Sequence, residues 1–178
     1  MESDATLESA FKQELSRRAK VYYQQAYSRQ MQGAVDEAIA LYQQSLEMLP
    51  TAEAHTFLGW AYSFQGRFDE AISECRQAIT VDPDFGNPYN DIGAYLIELG
   101  RPQDALETLH RALAASRYDC YHYAHFNLGR VYEAADELEQ ARHHYARALD
   151  LAPGYHPAAQ ALDLLQPRLV PMAPDGNA

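Results

Sequence analysis

Positive charge is scarce in this sequence. Lys and Arg number 14 against 25 Asp and Glu, a formal net charge of −11 over 178 residues. Nucleic-acid affinity comes mainly from Lys and Arg neutralising phosphates, so this balance argues against a nucleic-acid partner. It argues equally against docking on anionic lipid, and Arg17, Arg18 and Lys20 form the only tight basic cluster. Cysteine is nearly absent. Cys75 and Cys120 lie far apart without CxxC spacing, which excludes a disulfide framework and fits a reducing compartment. Long apolar runs are missing as well. The first residues, MESDATLESAFKQELSRR, are acidic at the start and do not read as a secretory signal. No window reaches the length needed to span a bilayer. The expectation is a cytoplasmic protein with no membrane partner. Catalytic signatures are also lacking: there is no GxSxG, phosphate loop, HExxH or GxGxxG. Neither an enzyme nor a cofactor is expected.

What is present is periodic. Apolar residues make up 47% of the chain, enough to bury a continuous core. The pairs Ala38-Ile39, Ala71-Ile72, Ala105-Leu106 and Ala141-Arg142 recur at spacings of 33, 34 and 36 residues. The pairs Leu58-Gly59, Ile92-Gly93 and Leu128-Gly129 recur at 34 and 36. Two landmarks thus share one period. Six of the nine glycines follow it: Gly59, Gly93 and Gly129 share one repeat position, and Gly33, Gly66 and Gly100 share a turn position that Asp136 fills in the last repeat. Glycine at a turn tolerates positive φ, and aspartate is an accepted substitute.

These residues resemble the tetratricopeptide repeat (TPR) family, a helix–turn–helix unit of about 34 residues. The resemblance implies an all-α, right-handed solenoid. Four repeats are expected at 19–51, 52–85, 86–121 and 122–155. Small residues at Ala26, Gly59, Gly93 and Gly129, at Ala38, Ala71, Ala105 and Ala141, and at Ser45, Ala78, Ala112 and Ala148 allow close helix packing. Bulky residues such as Tyr42, Cys75, Leu109 and Tyr145 fill the gaps. Pro50, Pro83 and Pro153 stop the second helices.

The flanks carry their own expectations. Residues 1–18 form a helical extension, its first four residues lacking order. Leu7, Ala10, Phe11 and Leu15 make an apolar stripe expected to cap repeat 1, with a dimer contact or groove cover as alternatives. Gln25 and Arg29 depart from the repeat pattern and leave this end open. Repeat 3 ends in SRYDCYHYAH, without the proline and with two extra residues, which implies a longer connection or an extra half turn. Residues 156–167 form a C-terminal capping helix with Pro157 in its first turn, and 168–178 a flexible tail.

The family likeness also implies a concave groove lined by the first helix of each repeat. On that face fall Tyr23, Tyr27, Phe57, Trp60, Phe64, Tyr123 and Phe126, with Asn87, Asn90, Asn127 and Arg130 beside them. Exposed aromatics mark binding sites and anchor interfaces. Asparagine can hydrogen-bond a peptide backbone whatever its sequence. The implied function is a non-enzymatic adaptor or scaffold that binds a peptide or helix of another protein, as a monomer or weak homodimer. Two alternatives stand beside it. One is a chaperone for an apolar secreted segment, like the small TPR chaperones of type III secretion translocators, similar in length and plan but not in any motif. The other is a self-associating structural protein. The carboxylate clamp of chaperone-binding TPR domains is excluded. Its cationic positions hold Tyr23, Asn87 and Asp91 in one frame and Thr56, Tyr123 and Asn127 in the other. Cys120, His122 and His125, with His143 and His144 on a later helix, match no standard zinc spacing, and no metal site is expected.

Overall fold

A computed structural model describes residues 2–169, with side chains from residue 8 onward. The described residues fold as nine α-helices: α1 (Glu2–Met31), α2 (Val35–Met48), α3 (Ala52–Ser63), α4 (Phe68–Val81), α5 (Asn87–Glu98), α6 (Ala105–Ala114), α7 (Tyr121–Ala134), α8 (Leu138–Leu151) and α9 (His156–Leu169). Each pair α1/α2, α3/α4, α5/α6 and α7/α8 is one helix–turn–helix repeat. Successive pairs stack, and α9 covers α8. The result is an all-α solenoid of four repeats with an N-terminal helical extension and a C-terminal capping helix.

The turns explain the glycine pattern. Gly33, Gly66 and Gly100 have φ of 79°, 70° and 73°, and Asp136 adopts 59° in the same place. Side chains are disfavoured there because Cβ approaches the following carbonyl. Within the repeats the small residues meet their partners closely. Ala38, Ala71, Ala105 and Ala141 are all fully buried, as are Ala78, Ala112 and Ala148. Opposite them Tyr42, Cys75, Leu109 and Tyr145 have at most 1% exposure. Burying one Leu side chain such as Leu109 is worth about 1.5–3 kcal/mol relative to leaving it in water. One apolar cluster runs from Ala26 to Val131, and a second joins Ala141 and Tyr145 to Leu165 of α9.

Local signals set the ends. Thr51 Oγ1 accepts the Ala54 N–H at 3.1 Å and caps α3. Pro88 opens α5, where its missing N–H costs nothing, and Pro102 opens a 3-10 turn (Pro102–Asp104) leading into α6.

Two features depart from the sequence expectation, and a third decides between two outcomes it left open. First, α1 is one unbroken helix from Glu2, so residues 2–4 are helical, while Met1 lies outside the described residues. The sequence has no breaker between extension and repeat, and the helix carries the extension past the 14-residue α2 rather than back onto repeat 1. Phe11 is therefore 65% exposed instead of covered; the Leu7 side chain lies outside the described set. Gln25 and Arg29 are exposed, Arg29 facing Glu37 at 3.3 Å, which fits the open end. Second, α9 continues through Pro167 to Leu169. Arg168, placed by sequence in the tail, bonds Glu133 at 2.7 Å and Asp136 at 3.0 Å. Residues 170–178, the remainder of the expected tail, lie outside the described residues. Third, the two extra residues of repeat 3 enter an extended connection. Gly86 N–H donates to Arg117 O and Arg117 N–H to Asp84 O, both at 3.0 Å, forming a parallel bridge between Phe85 and Arg117.

Candidate protein-binding groove

The first helices of repeats 2, 3 and 4 are short, and Gly59, Gly93 and Gly129 let each one press against the second helix of its own repeat. A Cβ at Gly59 would lie 2.9 Å from the Ala71 carbonyl oxygen, so only glycine fits without backbone movement. Stacking of the repeats brings α3, α5 and α7 side by side, with their inward faces around a cavity of about 520 Å³. Phe57 and Trp60 line it from α3; Asn87, Asn90, Asp91 and Ala94 from α5; Tyr123, Phe126, Asn127 and Arg130 from α7.

The predicted groove residues divide into two groups. Phe57, Trp60, Asn87, Asn90, Tyr123, Phe126, Asn127 and Arg130 meet at the cavity. Tyr23, Tyr27 and Phe64 do not line it, but join it through a chain of rings. Tyr23 and Tyr27 stand edge-on to Phe57, at centroid distances of 5.5 and 5.7 Å. Phe57 meets Trp60 at 5.7 Å, and Trp60 meets Phe64 at 5.3 Å. Phe57 is half-buried at the hub, whereas Phe64 and Tyr27 are exposed, at 58% and 43%. Burial raises the Tyr23 hydroxyl to about 12, so it is a neutral donor at physiological pH.

The cavity floor is polar and directional. Asn127 Nδ2 donates to Asn90 Oδ1 at 3.1 Å, and Asn90 Nδ2 donates to Asp91 Oδ1 at 3.2 Å. Asn90 and Asn127 are only 8% and 6% exposed, so part of the hydrogen-bonding capacity expected to meet a peptide is spent inside the protein. Burial lifts the Asp91 carboxyl to about 7, while the bond from Asn90 pulls the other way. Arg130 does not neutralise Asp91; its guanidinium bonds Glu98 at 2.8 Å.

Sequence reasoning missed Tyr118, Cys120 and Tyr155, which also line the cavity. All three come from connections rather than first helices. Tyr155, between α8 and α9, stands edge-on to Tyr123 at 5.4 Å and to Phe126 at 5.3 Å. The anomalous length of the repeat-3 connection was the available signal for Tyr118 and Cys120; Tyr155 had none.

No histidine lines this cavity among the described residues, although His122 packs on Tyr123 and Tyr155 at its edge. His125 and His144 approach through Nδ1 at 3.0 Å between α7 and α8. Among the described residues no group of three or more His, Cys, Asp and Glu is arranged to hold a metal. Cys75 is fully buried, and burial raises its thiol well above the usual range. It packs within the core cluster. No described helix is long and apolar enough to cross a membrane.

The geometry defines a helix–turn–helix solenoid with an aromatic concave face. The tetratricopeptide repeat profile matches residues 17–84 and 84–154, and the chain belongs to the tetratricopeptide repeat family. It is 32% identical over 77 residues to small glutamine-rich tetratricopeptide repeat-containing protein 2 of Mycosarcoma maydis, covering 43% of this chain and 22% of that protein. It is 28% identical over 74 residues to the TPR repeat-containing thioredoxin TTL4 of Arabidopsis thaliana, covering 41% of this chain and 11% of that protein. The chain thus matches less than a quarter of the length of these relatives. Among solved structures it superposes on Pseudomonas aeruginosa PilF with a TM-score of 0.80 at 22% identity, covering 86% of this chain and 70% of that one. PilW, described as a type IV pilus biogenesis factor, gives 0.75 at 23% identity, with 83% and 70% covered. At that identity the likeness is one of fold.

Proposed function

We propose that this chain is a non-enzymatic adaptor that holds a segment of another protein in the groove formed by α3, α5 and α7. The tetratricopeptide repeat fold supports protein–protein interaction in general; the groove, as the place where it happens here, is our reading. One observation carries it. A cavity of about 520 Å³ is walled by Phe57, Trp60, Tyr123, Phe126 and Tyr155, and the exposed ring of Phe64 packs beyond Trp60. That volume lies within the usual range for ligand sites, and partly exposed aromatics are favoured interface anchors.

A display library of random peptides tests the reading. Peptides enriched on the wild-type chain are expected to lose binding to a Trp60→Ala, Phe64→Ala double variant whose helicity by circular dichroism is unchanged. Enriched peptides that bind the double variant as well as the wild type would refute the groove. Self-association through the N-terminal extension is the second reading, favoured by the 65% exposed Phe11 on α1. Light scattering of the full chain and of a chain lacking residues 1–18 separates it: a dimer lost on deletion supports self-association.

A further inference from the structure

The Asp91 carboxylate faces an aromatic cavity with no cation bound to it among the described residues. Its hydrogen-bond donor favours the ionised form, while burial works against it. The amide of Asn127 donates to Asn90, and the amide of Asn90 donates to Asp91, so both dipoles point their positive ends toward the carboxylate. A carboxylate in an apolar site is costly unless paired. The one Lys or Arg among the residues lining the cavity, Arg130, is bonded to Glu98 instead. The site is therefore short of one positive charge, and aromatic side chains, whose ring faces attract cations, line the same cavity. An acidic ligand would meet the carboxylate and a chain of net charge −11. A basic ligand is drawn by both.

Resting on the groove reading above, we infer that the cavity takes a cationic side chain, arginine before lysine, carried on a segment of another protein. Asp91 is its counter-ion, and Trp60, Phe57 and Phe126 flank it. Arginine is preferred because its planar fork matches a carboxylate two bonds at a time and stacks on aromatic rings. The cavity, at about 520 Å³, is larger than one such side chain, and leaves room for apolar neighbours on the same segment. The raised Asp91 carboxyl, at about 7, agrees with a half-buried acid lacking its partner.

Trp60 is the only tryptophan, so its emission reports the cavity directly. Peptides from the display selection, free of tryptophan, are resynthesised with each arginine as arginine, lysine or citrulline, the neutral isostere. They are titrated into the full chain and into Asp91→Asn, which keeps shape and removes charge. Expected is a loss of about tenfold or more on citrulline substitution, and a similar loss for the arginine peptide on Asp91→Asn, with little further loss when both are combined. Groove-dependent peptides that are neutral or acidic, bound equally by Asp91→Asn, would overturn the cation and leave the groove standing. Peptides indifferent to the Trp60→Ala, Phe64→Ala double variant would overturn both. Trp60 emission that shifts with protein concentration alone, and no response to basic peptide, would instead place a second copy of this chain in the cavity.

Discussion

Gly129→Ala should destabilise the chain although it improves helix propensity. Gly129 lies inside α7, where alanine alone would gain about 1 kcal/mol. The packing reverses the sign. A Cβ there would fall 2.4 Å from both Cδ1 and Cε1 of Tyr145 and 3.0 Å from its Cγ. Carbon atoms rest about 3.5–4.0 Å apart, so the ring or the helix must retreat by more than about 1 Å. The ring has little room. Tyr145 is 1% exposed, packs on Phe126 at a centroid distance of 5.6 Å, and donates its hydroxyl to Glu133 at 2.7 Å. Overpacking costs about 1–3 kcal/mol, and a lost hydroxyl bond about 0.5–1.5 kcal/mol. Against the propensity gain, the net loss is about 1–3 kcal/mol. For a chain of this length that is a fall in Tm of about 3–10 °C. Urea melts followed by circular dichroism measure it. The same substitution in a Tyr145→Ala background should be neutral or stabilising by up to about 1 kcal/mol, a coupling between the two sites of at least about 1 kcal/mol. A Gly129→Ala protein as stable as the wild type, or equally destabilised in both backgrounds, would refute this account of the repeat.

Other perturbations separate further terms. Gly66→Ala meets no atom within 4 Å but must hold φ near 70°, so it should lose about 1 kcal/mol in the same melts; Gly154→Ala, equally open and without positive φ, should leave stability unchanged. The His144 imidazole is lowered to about 4, by burial first and then by the positive fields of His125, His143 and His110. The unfolded chain therefore binds more protons than the folded one between about pH 6.5 and 4. The associated stability is whole above that window and erodes as pH falls through it. After allowing for partial exposure it amounts to about 1–2 kcal/mol. His144→Gln should flatten that part of the stability–pH curve, and an unchanged slope would count against it.

The fold was legible because close helix contact leaves few residue choices. At Gly59 the partner is a backbone oxygen 2.9 Å from any Cβ; at Gly129 it is the Tyr145 ring. Such positions are written into the sequence at fixed intervals and can be found by counting. The inward faces of α3, α5 and α7 follow from the same period, which is why Phe57, Trp60, Asn90 and Asn127 could be assigned together. The period does not say which rings leave a gap. In repeat 1 the space is filled: Tyr23 packs against both Tyr42 and Phe57, so Tyr23 and Tyr27 serve the hub of the ring chain rather than the cavity wall. Nor does it report ion pairing. Arg130 was visible as a groove residue and Asp91 as a position of the excluded clamp, but that Arg130 turns to Glu98 depends on side-chain geometry alone.

The part of the site that escaped the repeat comes from where the repeat fails. Repeats 1, 2 and 4 end in Pro50, Pro83 and Pro153, whereas repeat 3 has Arg117 at the same place. Proline has no N–H. The bond from Arg117 N–H to Asp84 O could not form with proline there, and with it would go half of the bridge that ties this connection to the preceding one. The bridge needs Gly86 as well, since a Cβ at that position would lie 2.3 Å from Tyr118 Cβ. Arg117 then reinforces the join through ion pairs to Asp82 and Glu53. Held in this way, the connection runs extended, buries Tyr118 to 6% exposure and brings Cys120 to the cavity beside Asp91 and Asn127. A missing proline and two extra residues, read alone, look like decay of the pattern. In the folded chain they build one wall of the cavity and leave α7 to begin where Tyr123 and Phe126 can meet Tyr155 across it.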